Sequence, residues 1–287
     1  MTCEVIAGLR RTAESCGMQT TSAELPPILF LHGVFGKPEL LEPWLRYLRA
    51  AGFECHAPAL PGRGPVDRDT LRGTTVRDCL DAALAAYDEL AAPPIVIGHS
   101  MGGLLGQQVA AARDCRALVL LAAIPPGVLW PQLRSLPHLI PVLPAILAGR
   151  PFRPSSYTMR AVPLSSLERA EQDRIDAELV PDSGRVFRSM TFGTADMRVD
   201  AARVTCPVLC VSAGDDRNVA AWMSRRIATR YRAEHHDHPG LPHWIVAESA
   251  VEQVAPGVLT WIRKTLRDST AAASCTEPDG AATHRQS

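Results

Sequence analysis

At 287 residues, and with about 100–200 residues to a typical domain, the chain is one large domain or two small ones and can bury a full core. Apolar residues make up 46% and charged residues 21%, which excludes global disorder. Thirty basic residues balance thirty acidic ones, so no net field draws the chain to nucleic acid or to an anionic membrane.

Met1–Leu25 carries Glu4, Glu14 and Glu24 and no apolar h-region, so no signal peptide is expected. Its strand candidates are Glu4–Gly8 and Met18–Thr21. From residue 26 onward, short apolar runs alternate with segments of helical period, the pattern of a mostly parallel sheet with helices on both faces. In chain order the expected elements are strand Pro27–His32, helix Pro38–Ala51, strand Phe53–Ala57, helix Thr75–Leu90, strand Pro94–His99, helix Met101–Arg113 and strand Ala117–Ala123. Residues 125–200 break the alternation. Their first half is apolar and crowded with prolines, too many for long helices, and their second half is charged and helical in period. This segment is expected to form a helical lid inserted into an α/β body made of residues 26–124 and 201–267. Strand Pro207–Ala213, helix Val219–Tyr231, strand Arg232–His236 and helix Ser249–Leu266 complete the body. Residues 268–287 are small, polar and aperiodic, which predicts a disordered tail.

The eight cysteines form no C-x-x-C pair and read as free thiols, which fits a reducing cytoplasm. The longest uncharged apolar stretches are broken by proline or glycine and fall short of the ~20 residues a membrane helix needs, so no membrane span is expected.

The sharpest chemical signal is Ile95-Val96-Ile97-Gly98-His99-Ser100-Met101-Gly102-Gly103, an apolar strand running through G-x-S-x-G into a helix. So tight a strand-to-helix turn needs small residues at 98 and 102 and projects the Ser100 hydroxyl into open space. It also aims the Met101 amide, at the helix N-terminus, toward the place where a carbonyl oxygen would gain negative charge.

With this turn the chain resembles the α/β-hydrolase superfamily of serine hydrolases, esterase-like or lysophospholipase-like, over roughly Pro26 to Arg267. Three further motifs carry the resemblance. Phe30-Leu31-His32-Gly33-Val34-Phe35-Gly36 resembles the loop whose residue after His-Gly gives the second oxyanion-hole amide, here Val34. His32 itself reads as a buried histidine that holds the loop. Asp215-Asp216-Arg217-Asn218-Val219-Ala220 resembles the loop bearing the acid, with Asn218 and Ala220 departing from the usual apolar residue and proline. The match selects Asp216, Asp215 is the alternative, and one of the two is expected to cap the following helix. Pro239-Gly240-Leu241-Pro242-His243-Trp244 resembles the loop presenting the histidine. His235, His236 and His238 nearby read as exposed strand residues and not as metal ligands.

The resemblance implies a catalytic triad of Ser100, Asp216 and His243, in the chain order of this fold, with no metal or cofactor. Serine at the turn excludes the epoxide hydrolases and haloalkane dehalogenases, which use aspartate there, and Trp244 stands where hydroxynitrile lyases carry a lysine. Phe35, Trp130 and Trp244 are the substrate-binding candidates, under an apolar roof of Leu129–Ile146. The implied reaction is hydrolysis of a small-molecule carboxylic ester with a hydrophobic acyl or alcohol part. A thioesterase or acyltransferase would use the same acyl-enzyme, and a non-catalytic small-molecule receptor would keep the same fold.

Overall fold

Six strands pair side by side in a computed structural model that describes residues 25–64 and 66–274: β1 (Ile28–Leu31), β2 (Cys55–His56), β3 (Ile95–His99), β4 (Ala117–Leu121), β5 (Val208–Ala213) and β6 (Glu234–His238). All pairs are parallel, in the order β2-β1-β3-β4-β5-β6. Ile28 lies opposite Ile95, Ile95 opposite Ala117 and Leu118 opposite Val208. Every residue of β1, β3, β4 and β5 is buried, which is why these strands are apolar throughout. The edge strand β6 reads Glu-His-His-Asp-His and is partly exposed. It begins two positions later than the expected Arg232, because Arg232 ends the preceding helix in the left-handed conformation at φ 52°.

The helices follow in chain order as α1 (Glu42–Ala50), α2 (Arg68–Gly73), α3 (Val76–Asp88), α4 (Met101–Ala112), α5 (Leu136–Leu139), α6 (Leu143–Leu147), α7 (Ser156–Ala161), α8 (Arg169–Glu178), α9 (Gly184–Phe192), α10 (Ala221–Tyr231) and α11 (Glu248–Ser274). The expected helix from Pro38 divides into a 3-10 turn, Pro38–Leu41, and α1. Pro43 has no N–H to return to Glu39, so the α-helix proper starts at Glu42. Thr75 and Asp78 close a capping box that fixes the start of α3. The short α2, capped by Asp67, was not legible from periodicity because it spans under two turns.

Between β4 and β5 the described residues form only helical turns and loops, apart from one isolated bridge between Phe152 and Asp182. Pro137, Pro141 and Pro144 each fall in the first turn of a short helical piece, so the proline spacing sets where the turns start. The last helix runs through Asp268–Ser274, where composition predicts disorder; the rest of that tail and the strand candidates before residue 25 lie outside the described residues. No helix among the described residues is long and apolar enough to cross a membrane.

The segment between β4 and β5 sits over the carboxyl ends of the strands, where parallel α/β sheets place their ligands. Its contacts define that placement: the Gln132 amide donates to the Asp216 carbonyl, Val180 N–H to the Phe35 carbonyl, and Trp244 N–H to the Pro163 carbonyl.

Candidate active site

Ser100 stands between β3 and α4 with φ 54° and ψ −118°, a strained conformation for a residue bearing a side chain. The local packing explains both the strain and the glycines. A β-carbon at Gly102 would collide with the Leu31 carbonyl, and one at Gly98 with the backbone of Gly102 and Gly103. The serine is pinned as well, its N–H donating to the Leu121 carbonyl at 3.0 Å and its carbonyl accepting from Ile124 N–H at 2.9 Å.

The structure brings the three candidate side chains into one hydrogen-bonded line. Nε2 of His243 lies 2.9 Å from the Ser100 hydroxyl, and its Nδ1 lies 2.7 Å from Oδ2 of Asp216. Ser100, Asp216 and His243 are each about 2% exposed. The other oxygen of Asp216 accepts from Asn218 N–H at 2.6 Å and Val219 N–H at 2.7 Å, so the carboxylate is fixed at both ends. Of the two acids that the sequence left as alternatives, Asp215 is exposed and Asp216 is the one hydrogen-bonded to His243. Neither acid caps α10, whose N-cap is Ala220, because Asp216 spends its free oxygen on the turn before it. An imidazole with a carboxylate behind it and a hydroxyl before it can take the hydroxyl proton during attack on a carbonyl.

Beside the hydroxyl, the amides of Val34 and Met101 meet no acceptor among the described residues, as two donors awaiting a ligand oxygen would. His32 holds the loop bearing Val34. Its Nδ1–H donates to the Gly33 carbonyl at 2.9 Å, and its Nε2 accepts from Leu60 N–H at 3.2 Å. Burial pushes its pKa down to about 4, so the ring is neutral in this role.

His99 occupies the variable position before the serine and carries no signal in the sequence. Its Nε2–H donates to the His243 carbonyl at 2.9 Å and its ring packs edge-on against Trp244 at 5.4 Å. Burial lowers its pKa to about 3. It is an uncharged brace on the histidine loop, hidden in the motif as the variable residue before the serine.

A cleft of about 600 Å³, open solvent at its mouth included, leads to Ser100 and His243. Phe35, Trp244 and Val34 line it. Phe152 and Phe187 join Phe35 in one aromatic cluster, with ring centroids 4.9–5.6 Å apart. Trp130 does not reach the cleft. The chain at Leu129 is tied to the Met190 carbonyl, which turns Trp130 outward, 61% exposed, into a separate groove beside Trp222. The roof falls to Leu139, Val142, Phe152 and Met159, which carried no motif.

Arg153 pairs with Asp176 and Arg160 with Asp173, both within the insertion. His235 hydrogen-bonds Ser212 and His236 the Glu234 carboxylate, and among the described residues no cluster of three or more candidate ligands could hold a metal ion.

Residues 28–256 match the alpha/beta hydrolase family, and the chain belongs to it. No curated protein matches. Solved structures with the same fold include a methylesterase from Arabidopsis, with TM-score 0.62 and 15% identity over 86% of this chain and 99% of that one. A monoacylglycerol lipase from Paleococcus ferrophilus superposes with TM-score 0.64 and 21% identity over 84% of this chain and 96% of its own. A structure from a study of carboxylesterases of the thaumarchaeon Nitrososphaera gargenis gives TM-score 0.63 and 17% identity over 84% and 92%.

Proposed function

We propose that the protein is a serine hydrolase that cleaves carboxylic esters with a hydrophobic acyl or alcohol part through an acyl-enzyme on Ser100. The observation that carries this reading is the unbroken Ser100–His243–Asp216 line at the base of an apolar cleft, flanked by two amides that meet no acceptor among the described residues. His243 takes the hydroxyl proton as Ser100 Oγ attacks the ester carbonyl, and Asp216 holds the ring and stabilises the imidazolium. The Val34 and Met101 amides bind the oxyanion of the tetrahedral intermediate, at roughly 3–4 kcal/mol per donor. His243 then gives its proton to the departing alkoxide. Water, activated by the same imidazole, releases the acid and restores Ser100. The methylesterase, the lipase and the carboxylesterases named above support the reading as ester-directed members of the same fold.

A fluorophosphonate probe should label the wild-type chain at Ser100 and leave Ser100→Ala unlabelled. A chain-length series of p-nitrophenyl esters and acyl-CoA thioesters, run with and without an alcohol acceptor, tests the substrate class. Turnover of the esters to free acid is expected. A preference for thioesters, or transfer to the acceptor, would move the assignment to a thioesterase or acyltransferase. A folded, unlabelled wild-type chain would remove the enzyme reading altogether.

A further inference from the structure

Arg63 and Asp182 form an ion pair with both side chains fully buried, close beneath the Val34 loop. The contact is bidentate: Arg63 Nη2 lies 2.5 Å from Oδ1 and Arg63 Nε lies 2.8 Å from Oδ2. A buried pair of this kind gives little net stability over apolar residues of the same volume, because both charges lose their hydration. The use of this pair lies in what else the carboxylate touches. Oδ2 of Asp182 also accepts the Phe35 N–H at 2.9 Å, and Oδ1 the Ser183 N–H at 2.6 Å.

Phe35 needs such a partner. It follows Val34 directly and sits at φ 60°, left-handed backbone that persists in a bulky residue only when its surroundings hold it. Both of its backbone polar atoms are held from the insertion, the N–H by Asp182 and the carbonyl by Val180 N–H at 3.0 Å. Arg63, from the loop after β2, fixes the carboxylate in turn, and its Nη1 donates to the Pro61 carbonyl at 3.2 Å. The chain of contacts therefore runs from Arg63 through Asp182 to the Val34–Phe35 peptide, next to the Val34 amide, which meets no acceptor among the described residues.

We propose that Asp182, oriented by Arg63, is a positioning residue for the Val34 amide: it locks the Val34–Phe35 peptide from the insertion side, so that oxyanion binding depends on a carboxylate that never touches substrate. The proposal rests on the serine-hydrolase reading above. It makes the insertion part of the machinery for turnover as well as a wall of the cleft.

Two double variants separate this role from a structural one, since both remove the buried charges and only one keeps an acceptor for Phe35. Arg63→Met with Asp182→Asn retains an amide oxygen for the Phe35 N–H but loses the guanidinium that orients it, and should lower kcat by only about 3- to 5-fold. Arg63→Met with Asp182→Leu should lose kcat and kcat/KM together by about 10- to 100-fold, with KM within 2-fold, as expected when only transition-state contacts suffer. Equal kcat in the two variants would overturn the proposal. Amide exchange on the wild-type chain, read by NMR, does not depend on either variant folding. The Phe35 amide should exchange far more slowly than the Val34 amide, and equal rates would overturn the clamp. Failure of the hydrolase reading looks different: the wild-type chain would then resist the fluorophosphonate while the Phe35 amide stayed protected.

Discussion

The sheet body and the insertion hold the same site by opposite means. In the body, position is set by the absence of side chains: Gly33, Gly98, Gly102 and Gly103 bring backbone so close that a β-carbon at any of them meets Ser100, the elbow backbone, the Leu31 carbonyl or Ala123. The insertion instead reaches main-chain atoms with polar side chains. Gln132 and Arg134 both donate to the Asp216 carbonyl, the Ser135 hydroxyl donates to the Arg217 carbonyl, and Asp182 accepts from Phe35 N–H. Close approach tolerates no substitution at the contact. Polar anchoring can be lost one bond at a time, at about 1 kcal/mol each.

The largest effects should therefore fall in the body. Ser100→Ala should abolish fluorophosphonate labelling and lower kcat by at least ~10⁴-fold. Gly102→Ala, which drives a methyl group into the Leu31 carbonyl, should cost more than ~4 kcal/mol in urea unfolding or prevent folding outright. Asp216→Asn should cost about 10³- to 10⁴-fold in kcat/KM, because the amide no longer holds His243 in the tautomer that accepts the serine proton. Asp215→Asn should stay near wild type, and the reverse order would reassign the acid.

A pH effect of intermediate size also belongs to the body. His32 and His99 are buried in neutral form, with pKa values lowered from 6.5 to about 4 and about 3. Below pH 6.5 the unfolded chain binds protons that the folded chain refuses, so stability falls as pH drops from 6.5 toward 4. The slope is about 1.4 kcal/mol per pH unit for each ring, roughly 4 kcal/mol for the pair by pH 5. Urea midpoints at pH 7 and pH 5 should show the loss, and His99→Gln should reduce its slope. An unchanged slope in that variant would mean that His99 already carries a proton in the folded state.

On the insertion side, Gln132→Ala with Arg134→Ala should lower Tm by about 4–8 °C, in keeping with about 1 kcal/mol for each of the two hydrogen bonds lost. If these side chains steady the Asp216 loop, kcat/KM should fall with it, by about 3- to 10-fold. A fall in Tm with unchanged kcat/KM would reduce the anchor to a structural tie and widen the contrast between the two regions.

The same contrast explains what the sequence disclosed. Close backbone packing demands glycine at fixed spacing, so G-x-S-x-G and H-G-x-x-G are visible and lead directly to Ser100 and to the Val34 loop. The apolar strands are visible because burial on both faces leaves no room for polar residues. Anchors onto main-chain atoms leave no such trace, since any donor at the right place serves, and Gln132, Arg134 and Ser135 look like ordinary surface residues in an apolar run. Asp182 is hidden for a related reason: its partners are Arg63, more than a hundred positions away, and a peptide N–H. His99 leaves no signal because the motif treats its position as variable.

The smallest expected effect tests the boundary between the two regions. An apolar, proline-rich run invites the assignment of its largest residue, Trp130, to the substrate. In the structure Trp130 faces a groove shared with Trp222 and Arg226, while Phe152 and Phe187, later in the insertion, line the cleft. Trp130→Ala should leave KM and kcat for a long-chain ester within 2-fold of wild type, and its exposure means that Tm should hardly move. Phe152→Ala removes a ring from the aromatic cluster and should raise KM more for long acyl chains than for acetate, since each methylene that loses its apolar wall forfeits up to ~0.8 kcal/mol. If Trp130→Ala produced the chain-length-dependent loss instead, the acyl chain would have to run out of the cleft and across the face of the insertion. The roof would then extend beyond Leu139, Val142, Phe152 and Met159 to the groove of Trp130 and Trp222.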